Sequence, residues 1–244
     1  MAGCGYSGLE IAPGRLIPDN PYVQTDLAKK IGRSYAELYG LTICSMQAIL
    51  FGRTEQLFVS PAERMVILKQ AKKAVDFAVA LSCPNLVFGA PKNRVIRDKS
   101  QYQIAVDFFY ELGEYARQRD TVMAIEANPV IYGTNFINKT EEAFKLAQDV
   151  GSSGFMVNLD LGTIIYNREK PQRFLSNISC INHIHISEPH LSPLKKRALH
   201  KVFFRELKQG GYQKYLSIEM KDPGDLEVVK RALDYIRSVS DAVS

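Results

Sequence analysis

Short apolar runs rich in β-branched residues recur along the chain, each followed by a stretch of helical periodicity, and this alternation restricts the fold more than any other feature. The runs fall near residues 7–12, 41–47, 85–90, 121–126, 154–160, 180–186 and 213–219. Each gap holds one strand–helix unit, and serial units of this kind build a parallel sheet covered by helices. Helix punctuation supports the reading. Ser60-Pro61-Ala62-Glu63 supplies a cap, a first-turn proline and a capping-box glutamate, Thr140 with Glu141 and Glu142 opens another helix, and Gly40, Gly151 and Gly210 stand where helices should stop. After the first run comes Ile11-Ala12-Pro13-Gly14-Arg15 instead of a glycine-rich phosphate fingerprint, which argues against a doubly wound nucleotide-binding sheet. The expectation is one α/β domain over residues 1–244, a parallel barrel of seven strands. The first run begins almost at Met1, so the first strand of an eight-stranded (β/α) barrel is expected to be absent.

A chain of 244 residues, 46% hydrophobic, can bury one sizeable core. Its net charge of +5 is spread along the sequence apart from Lys195, Lys196 and Arg197, which read as a solvated turn; this is no nucleic-acid signature. The four cysteines show neither zinc-site spacing nor the density of a disulfide scaffold, so reduced thiols are expected. The N-terminus lacks the basic and apolar regions of a signal peptide, and no apolar run approaches the roughly 20 residues that span a bilayer. A cytoplasmic protein with a small-molecule partner, and with neither nucleic acid nor membrane, is expected. Unpaired edges on the first and last strands would favour a homo-oligomer.

Side chains alternate across a strand, so strand parity tells which groups share a face. Val122, Ala124 and Glu126 oppose Met123 and Ile125; Asn158 and Asp160 oppose Phe155, Val157 and Leu159. His183, His185 and Ser187 oppose Ile184 and Ile186, and Ser217, Glu219 and Lys221 oppose Leu216, Ile218 and Met220. Four consecutive strands thus carry acids or imidazoles on one face, toward the C-terminal ends that converge on the catalytic rim of a barrel. Buried carboxylates are costly unless paired or bound to a cation, so Glu126, Asp160 and Glu219 around one axis imply a positive charge among them. With His185 they form a mostly oxygen donor set, which favours one Mn²⁺, Co²⁺ or Mg²⁺ ion, with Zn²⁺ as a further option.

Other polar residues have plainer readings. Glu10, alone at a strand end, reads as a helix cap or the partner of a surface cation. His183 reads as supporting the site from behind or within the core, and His200 as a surface residue of a helix.

The segments Ile125-Glu126-Ala127-Asn128-Pro129, Asn158-Leu159-Asp160-Leu161-Gly162, His183-Ile184-His185-Ile186-Ser187-Glu188 and Ser217-Ile218-Glu219-Met220 resemble the xylose isomerase-like barrel superfamily. They are most similar to its sugar phosphate isomerase/epimerase branch, which includes the ketose 3-epimerases. The resemblance covers nearly the whole chain. It implies a metal held by Glu126, Asp160, His185 and Glu219, with Glu126 and Glu219 also the catalytic acid/base pair. Three positions of the ketose 3-epimerase pattern differ: Tyr132 replaces a glutamate, Thr163 a histidine and Leu191 an arginine.

The expected rim comprises Gln47, Lys92, Asn93, Arg94, Asn128, Asn135, Glu188, His190 and Lys221, and all but Asn135 are taken with His183 as candidate substrate contacts. Lys92, Arg94 and Lys221 are the cations available for a phosphate or carboxylate. The implied activity is isomerisation or epimerisation of a sugar or sugar phosphate through a metal-stabilised enediolate. Rival readings are a lyase or dehydratase on an inositol- or glycoside-like substrate, and a non-catalytic truncated barrel. A nuclease of the apurinic-site type would need several zinc ions and more than the four histidines present.

Overall fold

A computed structural model describes residues 1–171 and 175–243. Seven strands, β1 (Gly8–Ile11), β2 (Thr42–Met46), β3 (Asn85–Phe88), β4 (Val122–Glu126), β5 (Phe155–Asp160), β6 (Ile181–Ser187) and β7 (Leu216–Glu219), follow one another in sheet order as in sequence. Every pairing is parallel. Between and after them lie α1 (Pro13–Leu16), α2 (Thr25–Tyr39), α3 (Pro61–Ala80), α4 (Tyr102–Arg117), α5 (Thr140–Val150), α6 (Leu161–Asn167), α7 (Ala198–Gln209) and α8 (Leu226–Asp241). The sheet curls into a nearly closed barrel wrapped by helices, as the alternation of strands and helices predicts.

Local signals act largely as expected. Ser60 Oγ accepts from Glu63 N at 3.2 Å, but the Glu63 carboxylate turns to Gln56 N at 2.7 Å rather than closing a box with Ser60. Glu142 accepts from Asn138 N and Lys139 N at the start of α5. Gly40 and Gly151 end helices with left-handed φ of 63° and 65°. Gly210 stays right-handed at φ −77°, and the left-handed turn falls on Gly211 at φ 74°.

The apolar face of the central strands lies under the helices, where Met123, Ile125, Val157, Ile184 and Ile186 are fully enclosed. Phe88 meets Phe109 edge-to-face at a centroid distance of 4.9 Å, and Phe109 stacks on Phe155 at 4.7 Å through this layer. Removing such aromatic surface from water supplies most of the drive for helix-on-sheet packing. Burial of the apolar face leaves the other strand face, with its acids and imidazoles, pointing inward.

Two register breaks adjust that inner face. One between Leu9 and Glu10 sets Glu10 opposite Ser45, and one between Val157 and Asn158 sets Asn158 opposite His183 and Asp160 opposite His185. A break of one residue re-aims every side chain beyond it.

Among the described residues no backbone ladder joins β1 to β7. Side chains bridge the seam instead. The Tyr215 ring lies against Gly8, its hydroxyl is 3.2 Å from Thr42 Oγ1, and Tyr6 OH donates to Leu233 O at 2.8 Å. The N-terminal segment is also tied to α8 by Arg237 Nη1, which donates to Gly5 O at 2.9 Å.

Helix α4 approaches β5 through a pair of glycines. A Cβ on Gly154 would stand 2.0 Å from Gly113 O and 2.7 Å from Arg117 N, both backbone atoms that cannot rotate away. Gly154→Ala should therefore lower unfolding free energy by about 2–4 kcal/mol. Urea denaturation would read this directly, and an unchanged midpoint would contradict the close approach.

Candidate metal centre

Donor atoms of Glu126, Asp160, His185 and Glu219 lie within 4.8 Å of one another, delivered by the ends of β4, β5, β6 and β7. His185, 1% exposed, is the hub: its Nδ1 lies 2.8 Å from Glu126 Oε1 and 3.1 Å from Glu219 Oε2. Glu126 is held by Asn158 Nδ2 at 2.8 Å on Oε1 and by Asn128 Nδ2 at 2.7 Å on Oε2. Asp160 is the most encumbered of the four. It caps α6 by accepting from Thr163 N at 2.7 Å, and it also accepts from the hydroxyls of Thr163 and Ser187. A carboxylate offers about four lone-pair sites, and Gly162 N at 3.3 Å is a fourth, longer donor to Asp160, so an ion there would displace the weakest of these bonds. Glu219 has only the His185 contact among the described residues and is the freest carboxylate.

The electrostatics call for a cation. Burial, then the charge of Glu126, push the Asp160 carboxyl above its ordinary value. Burial opposes a charge on His185, yet Glu10 and Glu219 outweigh it and hold the imidazole well above its ordinary value. Three carboxylates with one imidazole match a hard divalent ion. Asn158 Oδ1, buried without a hydrogen-bond donor while its Nδ2 grips Glu126, places one more electron-pair donor beside the set. The residues present therefore fit such an ion.

Above the cluster opens a pocket of about 490 Å³ whose floor includes Glu126, Asp160 and Glu219. Gln47, Lys92, Asn93 and Asn128 line it, as do Ile49, Leu50, Phe51, Arg53, Tyr132 and Leu191. That volume suits a small metabolite. Phe51 is 89% exposed at the rim. Ala48, Ala90, His190 and Leu191 all hold left-handed backbone, at φ 55°, 39°, 63° and 53°, so strain gathers where the strand-end loops meet the mouth. A larger cleft of about 750 Å³ lies against α2 and α3, away from the acidic cluster.

Several expected rim residues are elsewhere. Arg94 is wholly buried and acts as a strut: Nε donates to Gly89 O at 2.7 Å, Nη1 to Phe136 O, and Nη2 to Glu126 O at 2.8 Å and to Asn128 Oδ1. Burial draws its guanidinium down to about 10. Asn93 borders the pocket but spends its Nδ2 on Arg53 O and Glu55 O, and Asn135 ties its loop to Ile96. Glu188 is buried against Arg197 in a two-pronged ion pair, so neither contacts the pocket and Arg197 is no solvated turn residue. His190 is exposed, its backbone N donating to Tyr132 OH at 2.9 Å, and Lys221 is exposed beside Leu191; neither lines the pocket. His183 lies below the cluster, 2.8 Å from Ser217 Oγ. His200, expected at the surface, is buried with Nδ1 3.1 Å from Tyr235 OH.

Glu10 departs furthest from expectation. It is neither a cap nor a surface partner; it is buried in the barrel, 3.0 Å from His185 Nε2. Burial alone would raise its carboxyl, but the charge and hydrogen bonds of His185 and His183 outweigh it and hold it well below the usual range. All four cysteines are free, and among the described residues no helix is long and apolar enough to cross a membrane.

A family model for the xylose isomerase-like TIM barrel matches residues 1–239. Among solved structures, a D-psicose 3-epimerase from Clostridium cellulolyticum H10 superposes with a TM-score of 0.79 at 16% identity, covering 99% of this chain and 90% of that one. A 3-keto-D-glucoside 4-epimerase from E. coli gives 0.76 at 17% identity over 97% and 90%, and an L-ribulose 3-epimerase 0.73 at 14% over 98% and 83%. No curated protein matches the sequence.

The strut role of Arg94 separates it from Lys92 in the same loop. Arg94→Lys should destabilise the fold by about 3–5 kcal/mol, because one ammonium cannot satisfy the carbonyls that the fork holds. Lys92→Ala should stay within about 0.5 kcal/mol of the parent. Parallel urea titrations test the pair, and equal midpoints for all three proteins would contradict the strut.

Proposed function

The chain belongs to the xylose isomerase-like TIM barrel family, and from that premise we propose that it is a divalent-metal-dependent isomerase or epimerase of a sugar or sugar phosphate. The observation that carries this reading is the convergence of Glu126, Asp160, His185 and Glu219 on one point at the floor of a metabolite-sized pocket. These four residues are the proposed ligands of one ion, with Mn²⁺, Co²⁺ or Mg²⁺ favoured by the oxygen-rich donor set. When bound, such an ion polarises a carbonyl and its neighbouring hydroxyl, acidifying the adjacent carbon-bound proton and stabilising enediolate charge.

The protein's own groups do the rest. Glu219, the least engaged carboxylate, is suited to take the proton, and Glu126, held in place by Asn128 and Asn158, is the second carboxylate of the acid/base pair. Return of the proton to the neighbouring carbon isomerises the sugar; delivery to the same carbon from the other face epimerises it. Gln47, whose Nε2 donates to Glu10, presents its amide at the pocket to substrate hydroxyls, whereas Asn128 spends its Nδ2 on Glu126 and its Oδ1 on Arg94 and acts on the substrate through Glu126. Lys92, exposed at the pocket wall, is the cation placed for a phosphate or carboxylate, whereas Arg94 is committed elsewhere. The neighbouring solved structures carry the names of sugar epimerases, which supports the substrate class. Tyr132, Thr163 and Leu191 depart from the ketose 3-epimerase pattern, and Thr163 spends its hydroxyl on Asp160 and Ala127 O.

Incubation of the Mn²⁺-loaded protein with a panel of neutral and phosphorylated sugars in D₂O should place deuterium on the carbon beside the carbonyl of the true substrate. Glu126→Gln and Glu219→Gln should each lose at least about a hundredfold in kcat. Absence of both exchange and turnover across the panel would contradict the proposal, and a dehydrated product would redirect it to a lyase.

Metal affinity should depend on pH. His185 is held protonated above the ordinary histidine range, so an ion bound at Nδ1 must displace a proton. Mn²⁺ affinity measured by calorimetry should rise about tenfold per pH unit while His185 is protonated before binding, then level off above its raised value. An affinity unchanged between about pH 6 and pH 8 would contradict this.

A further inference from the structure

Glu10 lies outside the four-residue cluster yet touches its hub. It sits on β1, just past the register break that follows Leu9, with its side chain only 7% exposed. Oε2 is 3.0 Å from His185 Nε2 and 3.4 Å from His183 Nε2, and Oε1 accepts from Gln47 Nε2 at 3.2 Å. The two nitrogens of His185 therefore face opposite ways. Nδ1 looks to Glu126 and Glu219, and Nε2 looks to Glu10.

A neutral imidazole carries one proton and one nitrogen lone pair, and the partner of the protonated nitrogen decides which is which. A carboxylate only accepts, so opposite Nε2 it keeps the proton there and leaves the lone pair on Nδ1. We infer that Glu10 is a positioning residue for His185, fixing its ring and its Nε2–H tautomer so that Nδ1 is presented to the cation held with Glu126, Asp160 and Glu219. This rests on the proposed ligand set, and deepens it by adding the residue that aims its only nitrogen donor. The same contact raises the basicity of the ring, which strengthens the metal bond.

A different use of these groups is conceivable in chemical terms, since Glu10, His183 and His185 also bring donor atoms within 4.8 Å of one another. A second ion there would need His185 to bind at both nitrogens, with no proton left on the ring. It would also compete with the 2.8 Å contact between His183 Nε2 and Ser217 Oγ. The hydrogen-bonded arrangement asks for neither. Its geometry has a structural consequence: Glu10 belongs to β1 and His185 to β6, so this bond reaches across the seam where β1 and β7 share no ladder.

The test uses Mn²⁺ alone as the probe of affinity and Zn²⁺ as the diamagnetic probe of tautomer, on the full chain and its Glu10→Gln, Glu10→Ala and Glu126→Gln variants. The parent should bind one Mn²⁺ per chain. Glu10→Ala should bind about 10–100-fold more weakly. Glu10→Gln should fall between them, because its amide oxygen still accepts from Nε2–H without the charge, and it retains the shape of glutamate should the alanine variant fail to fold. Nitrogen-15 spectra of the Zn²⁺-loaded parent should show His185 protonated at Nε2 and coordinated at Nδ1, a signature that a merely structural glutamate would not set. Parent-like affinity in both Glu10 variants, or His185 protonated at Nδ1, overturns this inference while leaving the metal site intact. A second Mn²⁺ that disappears with Glu10 also overturns it, by making Glu10 a ligand. A parent that binds no Mn²⁺ overturns the ligand set and this inference together.

Discussion

Carboxylates forced together out of water repel one another and lose their hydration, and the upper end of this barrel is organised around that penalty. Glu10, Glu126, Asp160 and Glu219 all approach the ring of His185 or each other, and among the described residues no buried lysine or arginine side chain reaches them directly. The buried Arg94 comes nearest, yet it grips the main-chain oxygen of Glu126 and the side chain of Asn128 rather than the carboxylate. The fold thus supplies hydrogen bonds that orient each acid and leaves the balancing charge to His185 and to whatever cation the site accepts. This explains why donors such as Asn128, Asn158, Thr163 and Ser187 crowd the site: each fixes a carboxylate without neutralising it.

The same constraint links the site to the barrel. Strand ends deliver the acids, the register breaks before Glu10 and Asn158 adjust their aim, and the aromatic layer of Phe88, Phe109 and Phe155 holds β3 to β5 against α4 from outside. The seam between β1 and β7 is the weakest part of the wall, and it is spanned at the level of the site by the contact between Glu10 and His185. Closure of the barrel and geometry of the acidic cluster are in this way one problem.

Much of this was legible in the sequence, for a definite reason. Period-two alternation in regular strands assigns faces without knowledge of the tertiary fold, so Glu126, Asp160, His185 and Glu219 could be grouped from parity alone. Glu10 escaped because its strand is only four residues long and carries a single acid, so parity gave no warning that it would be buried beside two imidazoles. Arg94 and Glu188 escaped for a related reason. They stand in loops after strand ends, where the direction of a side chain is set by contacts with Phe136, Asn128 or Arg197 that are distant in sequence. The helix caps show the intermediate case: Ser60 behaves as its motif suggests, while Glu63 finds a better donor in Gln56.

The central claim is that one divalent cation sits among four particular side chains, and anomalous diffraction from crystals grown with Mn²⁺ tests it most directly. A single strong peak should lie about 2.0–2.3 Å from oxygens of Glu126, Asp160 and Glu219 and from Nδ1 of His185. A peak between Glu10 and His183 instead, or none at saturating Mn²⁺ with the four side chains well ordered, would contradict it.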